Sequence, residues 1–386
     1  MDNFRFHART KVLFGKGQVQ ALAEEVAVFG KNVLLTYGGG SIKRNGIYDE
    51  VMQQLKDCKV TELSGIEPNP RIESVREGAR LCKENQIDVV VAVGGGSTID
   101  CSKVIAAAAN YDGDAWDLVM NPQKIGKVLP IIDVLTLSAT GSEMNGNAVI
   151  SDLNLRVKKG TFSWDMVPMV SICDPTYLFT LPAYQTASGT ADIMSHVIEN
   201  YFKREKYADV QDGIAEALLR TCIKNCPIAL AKPDDYHARA NLMWASTVAL
   251  NGSCGVGKGG AWTCHAIEHE LSAYYDVTHG AGLAVVTPRW MRYILSEETV
   301  GKFADYAVKV WGIAPSEDLF ETAQKGIEAT EDFFFHQCKL PKTLKEMGIP
   351  NDEHFADMAK SVAKGTTDSY VPLTEEDIIS ILNMCL

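Results

Sequence analysis

"VAVGGGSTIDCSKVIAAAA" (91–109) joins a β-branched run to an alanine-rich run through three consecutive glycines. The order predicts a strand, a tight turn and a helix. Glycine lets the backbone come close to a bound group, and the first N–H groups of a helix attract anions. Gly94, Gly95, Gly96 and Ser97 thus form a candidate pyrophosphate cradle, although the spacing is not that of the GxGxxG dinucleotide fingerprint. An ordinary strand–helix turn would read the same way, so the neighbouring segments decide.

They repeat the pattern. "NVLLTY" (32–37) ends in a second GGGS, and "VLPIIDVLTL" (128–137) runs into "SATGSE". Amphipathic stretches such as "RIESVREGARLCKENQ" (71–86) lie between, and "MVSICDP" (169–175) reads as a last strand stopped by proline. Such alternation predicts a parallel sheet covered by helices. Beyond about residue 183 the period becomes helical, as in "DVQDGIAEALLRTCIKNC", "ARANLMWASTVALNG" and "VGKFADYAVKVWG". The expected organisation is an α/β domain over 1–183 and an all-helical domain over 184–386, with a ligand cleft between them.

Composition narrows the function. Among 386 residues, a formal charge of −12 argues against nucleic-acid or anionic-membrane partners. No stretch approaches a membrane span, and the N-terminal "MDNFRFHARTKVLF" lacks the apolar run of a signal peptide. Ten cysteines without paired CxxC spacing read as reduced thiols, so a cytoplasmic location is expected.

The second glycine loop, "TYGGGSIKRNG" (36–46), has no acidic residue before Asp49 to hold a ribose hydroxyl. Ser41, Lys43 and Arg44 stand there instead and suggest room for a 2′-phosphate, hence NADP(H) in preference to NAD(H). The turn "TLSATGSE" (136–143) adds the hydroxyls of Thr136, Ser138 and Thr140.

The helical half carries the ligating chemistry. "TADIMSHVIENYF" (190–202) sets Asp192 four residues before His196, and "HAIEHELSAYYDVTHG" (265–280) contains His265, His269 and His279. Residues at i and i+4 share a helix face. One carboxylate with two or three imidazoles suits Zn²⁺, Fe²⁺ or a similar ion that acts as a Lewis acid. Spacing alone does not rank His265 against His269. His7, His237, His336 and His354 have no such companions.

These residues resemble the iron-containing (group III) alcohol dehydrogenases, and are most similar to their NADPH-dependent butanol dehydrogenase and aldehyde reductase branch. The likeness runs from "KVLFGKGQ" through "GIEPNP", "AVGGGSTID" and "CDPTYLFTLP" to "HAIEHELSAYYDVTHGAGLAV". It implies a Rossmann-like α/β domain followed by a helical metal-binding domain of the dehydroquinate synthase-like kind, and a homodimer. It implies Asp192, His196, His265 and His279 as metal ligands, with His269 relaying a proton. It further implies dinucleotide contacts at Gly38, Gly39, Ser41, Asn69, Gly95, Gly96, Ser97, Asp100, Thr136, Leu137, Ser138, Thr140, Asn145, Lys158 and Leu178. Leu137 stands where the family's turn often has a hydroxyl, which removes a side-chain bond there. Glu268, between two histidines, is expected to face solvent.

The resulting expectation is an NADP(H)-dependent, metal-dependent alcohol dehydrogenase or aldehyde reductase that interconverts primary alcohols such as butanol and their aldehydes by hydride transfer, with Fe²⁺ or Zn²⁺. Rivals are a polyol dehydrogenase or dehydroquinate synthase-like enzyme, for which Lys258 is the one cation preceding the cluster, and a cofactor-free metal hydrolase or non-catalytic metal binder. Trp164, Trp262 and Tyr274 are expected to be packing residues first.

Overall fold

A computed structural model describes residues 1–205 and 207–386. The chain forms two compact units. One contains His7–Leu181 with Pro233–Thr247, and the other Met1–Phe6, Pro182–Lys232 and Val248–Leu386. The segment Pro233–Thr247 lies in the helical half of the sequence yet packs with the α/β unit.

The α/β unit has strands β1 (Lys11–Phe14), β2 (Asn32–Tyr37), β3 (Lys59–Leu63), β4 (Val89–Gly94), β5 (Ile131–Leu135), β6 (Asn147–Asp152), β7 (Val157–Phe162) and β8 (Val170–Cys173). Six of them form a parallel sheet in the order β1-β8-β5-β4-β2-β3, while β6 and β7 make an antiparallel hairpin. The inner strands β4 and β5 are buried along their whole length, which explains their apolar runs, broken in β5 only by Asp133, which accepts from Ser171 Oγ. Helices Ile72–Asn85 and Gly96–Ala108 pack against each other. Val75, Ala79 and Cys82 from one and Val104, Ile105 and Ala108 from the other share a core with Leu34 and Val90 of the sheet.

The chain lays β3 outside β2 and then places β4 on the other side of β2, so the build direction reverses there. In open α/β sheets ligands bind beyond the strand C-termini at such a reversal. Register brings Tyr37 beside Val93 and Gly94 beside Leu135. The loops that leave β2, β4 and β5 therefore emerge side by side.

No strand follows β8 among the described residues, as the helical period predicts. In the helical unit, helix Ala183–Tyr201 packs against Asp209–Ala231 and His279–Ile294, and the last of these packs against Thr263–Tyr275. An aromatic cluster fills the interior, with Phe202 stacked on Phe303 at 4.4 Å between centroids and edge-on to Trp290 at 6.1 Å. No helix is long and apolar enough to cross a membrane, among the described residues.

Candidate metal centre and nucleotide edge

Helix Ala183–Tyr201 is buried over nearly all its length, so its polar residues need partners. Asp192, His196 and Glu199 fall at i, i+4 and i+7, one face of the helix. Helix Thr263–Tyr275 presents His265, Glu268, His269 and Ser272 with the same period. His279 opens the next helix, and Gly280 seats it. A Cβ on Gly280 would lie 2.0 Å from the Ser188 carbonyl oxygen, so only glycine lets this helix come so close to the one that carries Asp192.

The three elements converge on Asp192 Oδ1. His196 Nδ1 lies 3.3 Å from it, His279 Nε2 3.6 Å and His265 Nε2 3.7 Å. Asp192, His265 and His279 offer ligand atoms that are all within 4.8 Å of one another. His196 adjoins this set without joining it, with its ring stacked on His265 at 4.3 Å. Asp192 Oδ1, His196 Nδ1 and His265 Nε2 are buried and make no hydrogen bond. A divalent ion with ligands at about 2.1 Å in a tetrahedron separates them by roughly 3.4 Å, close to these spacings. The donor set thus fits a divalent cation.

His196 and His279 hold the Asp192 carboxyl well below the usual carboxylate range despite its burial, with His265 adding to the effect. Burial pushes the His196 imidazole down to about 3. Burial acts the same way on His265, but Glu199 and Asp192 outweigh it and raise that ring to about 9. Glu199 Oε1 meets His265 Nδ1 at 2.5 Å, and its carboxylate also accepts from the backbone N–H groups of Cys264 and His265. Nε2 of His265 is thereby turned toward Asp192.

Glu268 corrects the sequence reading. It does not face solvent; it is wholly buried and meets His279 Nδ1 and Ser272 Oγ. Its i+3 offset from His265 was the available signal, because that step returns to the ligand face. The i+7 offset of Glu199 from Asp192 was another. Trp262 is more than packing: its half-buried indole stands edge-on to His196 and His265, at 5.9 and 5.3 Å, beneath the Lys203 ammonium. Trp164 is exposed in the α/β unit, and Tyr274 packs against His354 at 4.9 Å. His269 is half-buried at the rim, 5.6 Å from the His279 ring. His336 is exposed beside Asp332, as an ordinary surface histidine.

At the sheet edge, Gly38 and Gly39 leave β2, and Gly40, at φ +88°, starts the short helix that begins with Ser41. Gly95 caps the Gly96–Ala108 helix, with Ser97 in its first turn. A Cβ on Gly96 would lie 2.3 Å from Thr140 Oγ1, and one on Gly95 3.0 Å from Leu137 Cβ, so the glycine loop after β4 packs directly on the hydroxyl turn. Thr136 N–H donates to the Gly94 carbonyl. Ser138 Oγ is buried with no hydrogen bond, as a ligand-facing hydroxyl would be.

Several expected contact residues also have structural partners. Asp100 accepts from Ser142 Oγ and the Val149 N–H, which ties the helix to the hairpin. Asn145 accepts from Lys103 Nζ and donates to the Gly141 carbonyl. Lys103 itself, pushed down to about 8 by burial, also donates to Ser142 Oγ and the Asn147 carbonyl. Asn69 is buried with a left-handed φ of 52°, Lys158 is buried in β7, and Leu178 sits in the core that follows β8.

A parallel-sheet unit with glycine loops at the strand reversal, and a helical unit with a buried carboxylate–imidazole cluster, define a metal-dependent nucleotide oxidoreductase. Family comparison gives the class its name. Residues 9–175 match the model for iron-containing alcohol dehydrogenase, and residues 186–386 that for the C-terminal part of the Fe-containing alcohol dehydrogenase family. The chain belongs to the iron-containing alcohol dehydrogenases, oxidoreductases that act on CH–OH groups with NAD(P) as acceptor. It is 54% identical over 385 residues to NADH-dependent butanol dehydrogenase A of Clostridium acetobutylicum, covering 99% of each chain. It is 39% identical over 371 residues to the NADPH-dependent aldehyde reductase YqhD of Escherichia coli, covering 95% of each. The crystal structure of NADH-dependent butanol dehydrogenase A from Thermotoga maritima superposes with a TM-score of 0.94 at 43% identity, covering 100% of this chain and 99% of that one.

Proposed function

We propose that this enzyme interconverts short primary alcohols of butanol size and their aldehydes, transferring hydride to and from a nicotinamide cofactor. Asp192, His196, His265 and His279 would hold the metal, Fe²⁺ or Zn²⁺, which when bound supplies a Lewis acid for the carbonyl or alcohol oxygen. The observation that carries the reading is the convergence of three imidazole nitrogens on Asp192 Oδ1 at 3.3, 3.6 and 3.7 Å, with buried donor atoms left unbonded.

The chain's own residues supply the rest. Glu199 fixes the His265 ring, and Trp262 closes one side of His196 and His265 against water. His269 relays a proton between solvent and the alcohol oxygen through an imidazole nitrogen. Gly95, Gly96 and Ser97 receive the pyrophosphate of the cofactor, and Gly38, Gly39 and Ser41 the adenosine end. Ser138 and the neighbouring hydroxyls line the same edge.

NADP(H) over NAD(H) is the finer part of the proposal. Lys43 and Arg44 beside the triple glycine support it, as does the name of the E. coli reductase. The two butanol dehydrogenases are named for NADH, and Lys43 already has company. Its ammonium lies over the rings of Tyr48 and Tyr37, at 4.4 and 5.0 Å, and 3.9 Å from Glu62. A homodimer and a cytoplasmic location complete the proposal; none of the ten cysteines forms a disulfide among the described residues, in keeping with a reducing compartment.

The polyol and sugar-phosphate readings need a cationic substrate pocket. Lys258 is instead buried against Asp212, and Lys203 donates to the carbonyls of Gly260 and Ala261. The test is butanal reduction by metal-stripped protein reloaded with Fe²⁺ or Zn²⁺, comparing NADPH with NADH. Expected is metal-dependent oxidation of the cofactor, faster with NADPH. Failure to bind either cofactor would return the hydrolase reading.

A further inference from the structure

Glu268 is a carboxylate sealed beside the cluster, with none of its surface exposed. A buried charge persists where it is paired and hydrogen-bonded. Oε2 of Glu268 meets His279 Nδ1, and Oε1 accepts from Ser272 Oγ, one helical turn further along. With Nδ1 engaged, Nε2 is the nitrogen that His279 turns to Asp192 Oδ1, 3.6 Å away. Space for the carboxylate comes from Gly282, whose added Cβ would lie 3.0 Å from Glu268 Cγ and 3.4 Å from Oε1. The two glycines after His279 thus do different jobs: Gly280 admits Ser188, and Gly282 admits Glu268.

We propose that Glu268 is a positioning residue of the metal centre. Its carboxylate fixes the His279 ring with Nε2 toward Asp192 and, by accepting the Nδ1 hydrogen, makes that imidazole a stronger donor, so that the protein retains its ion. The proposal rests on the reading of Asp192, His265 and His279 as ligands. Because His279 stands at the first position of its helix, its ring needs such a brace from a neighbouring element, and the Thr263–Tyr275 helix provides it.

The test uses the full chain, stripped of metal and titrated with Co²⁺ against a chromogenic chelator, following the d–d absorption of the bound ion. Glu268→Ala is expected to weaken Co²⁺ binding by about 10- to 100-fold and to change the d–d spectrum. Glu268→Gln keeps an acceptor for Nδ1 but loses the charge, and should fall between Ala and wild type. Gly282→Ala, which crowds the carboxylate without altering any polar group, should weaken binding by a smaller factor. Should Glu268→Ala not fold, the other two variants decide. Wild-type Co²⁺ affinity and spectrum in folded Glu268→Gln and Gly282→Ala would overturn the proposal, even if their melting temperatures fall. His279→Ala, run alongside, tests the ligand reading separately: unchanged Co²⁺ binding there would remove the ground on which the proposal stands.

Discussion

At the sheet edge, the groups beside the glycine turn at 94–97 are backbone amides and hydroxyls, and the nearby charges of Lys103 and Asp100 are spent on holding structure. Lys103 and Asp100 clamp the Gly96–Ala108 helix to Ser142 and the start of β6. In the helical unit the offer is reversed. Ionisable side chains form the site, and glycine brings helices within reach or makes room for a carboxylate. A site built of backbone is disturbed by adding atoms, whereas a site built of charged side chains is disturbed by removing them.

The largest effect should come from deleting a ligand. His279→Ala is expected to lower turnover on the order of a thousandfold and to deplete metal, as measured by elemental analysis beside a rate assay. NAD(P)H affinity should stay the same, since the sheet edge is untouched. Full activity in a metal-free His279→Ala protein would break the contrast outright.

Adding one methyl group should break the other side. Gly96→Ala places a carbon 2.3 Å from Thr140 Oγ1, so the hydroxyl turn must move. Overpacking of this kind costs about 1–3 kcal/mol, which corresponds to about 5- to 150-fold in cofactor dissociation constant by fluorescence titration. Metal content should match wild type. Parallel losses of metal and cofactor in this variant would show that the two sites do not fail separately.

The smallest effect concerns charge at the mouth of β2. Glu62 accepts from the hydroxyls of Tyr37 and Tyr48 and stands 3.9 Å from Lys43. Exposed pairs of this sort are weak, so Glu62→Gln should raise the NADPH-to-NADH ratio of kcat/KM only about threefold. An unchanged ratio would detach Lys43 from cofactor choice.

How much of this could be read from residues alone follows the same contrast. The strands ending at Tyr37, Gly94 and Leu135 were legible because buried parallel strands are mostly apolar, and glycines follow the first two. The short edge strands β1 and β3, and the β6–β7 hairpin, were not, because partly exposed strands carry mixed residues such as "KVTEL" and "VKKGTF". Asp192, His265 and His279 stood out by residue type and spacing. Glu199 and Glu268 did not, because a glutamate in a helix is ordinary until burial is known. The assignment of Pro233–Thr247 to the α/β unit depends on tertiary packing and has no local signal.

The N-terminal strand has a consequence for how the molecule is made. β1 begins at Lys11, yet its partner in the sheet is β8, at Val170–Cys173, and the α/β unit is completed only by Pro233–Thr247. Met1–Phe6 waits longer still, since it belongs to the helical unit, where the Asp2 N–H donates to the Gly257 carbonyl. On the ribosome, β1 must stay unpaired until Val170–Cys173 is made, and Met1–Phe6 until Gly257 is made, well past the middle of the 386 residues. Such long-range closure is slow and leaves edges exposed to aggregation. Truncating the chain between the two sites would therefore yield neither unit intact.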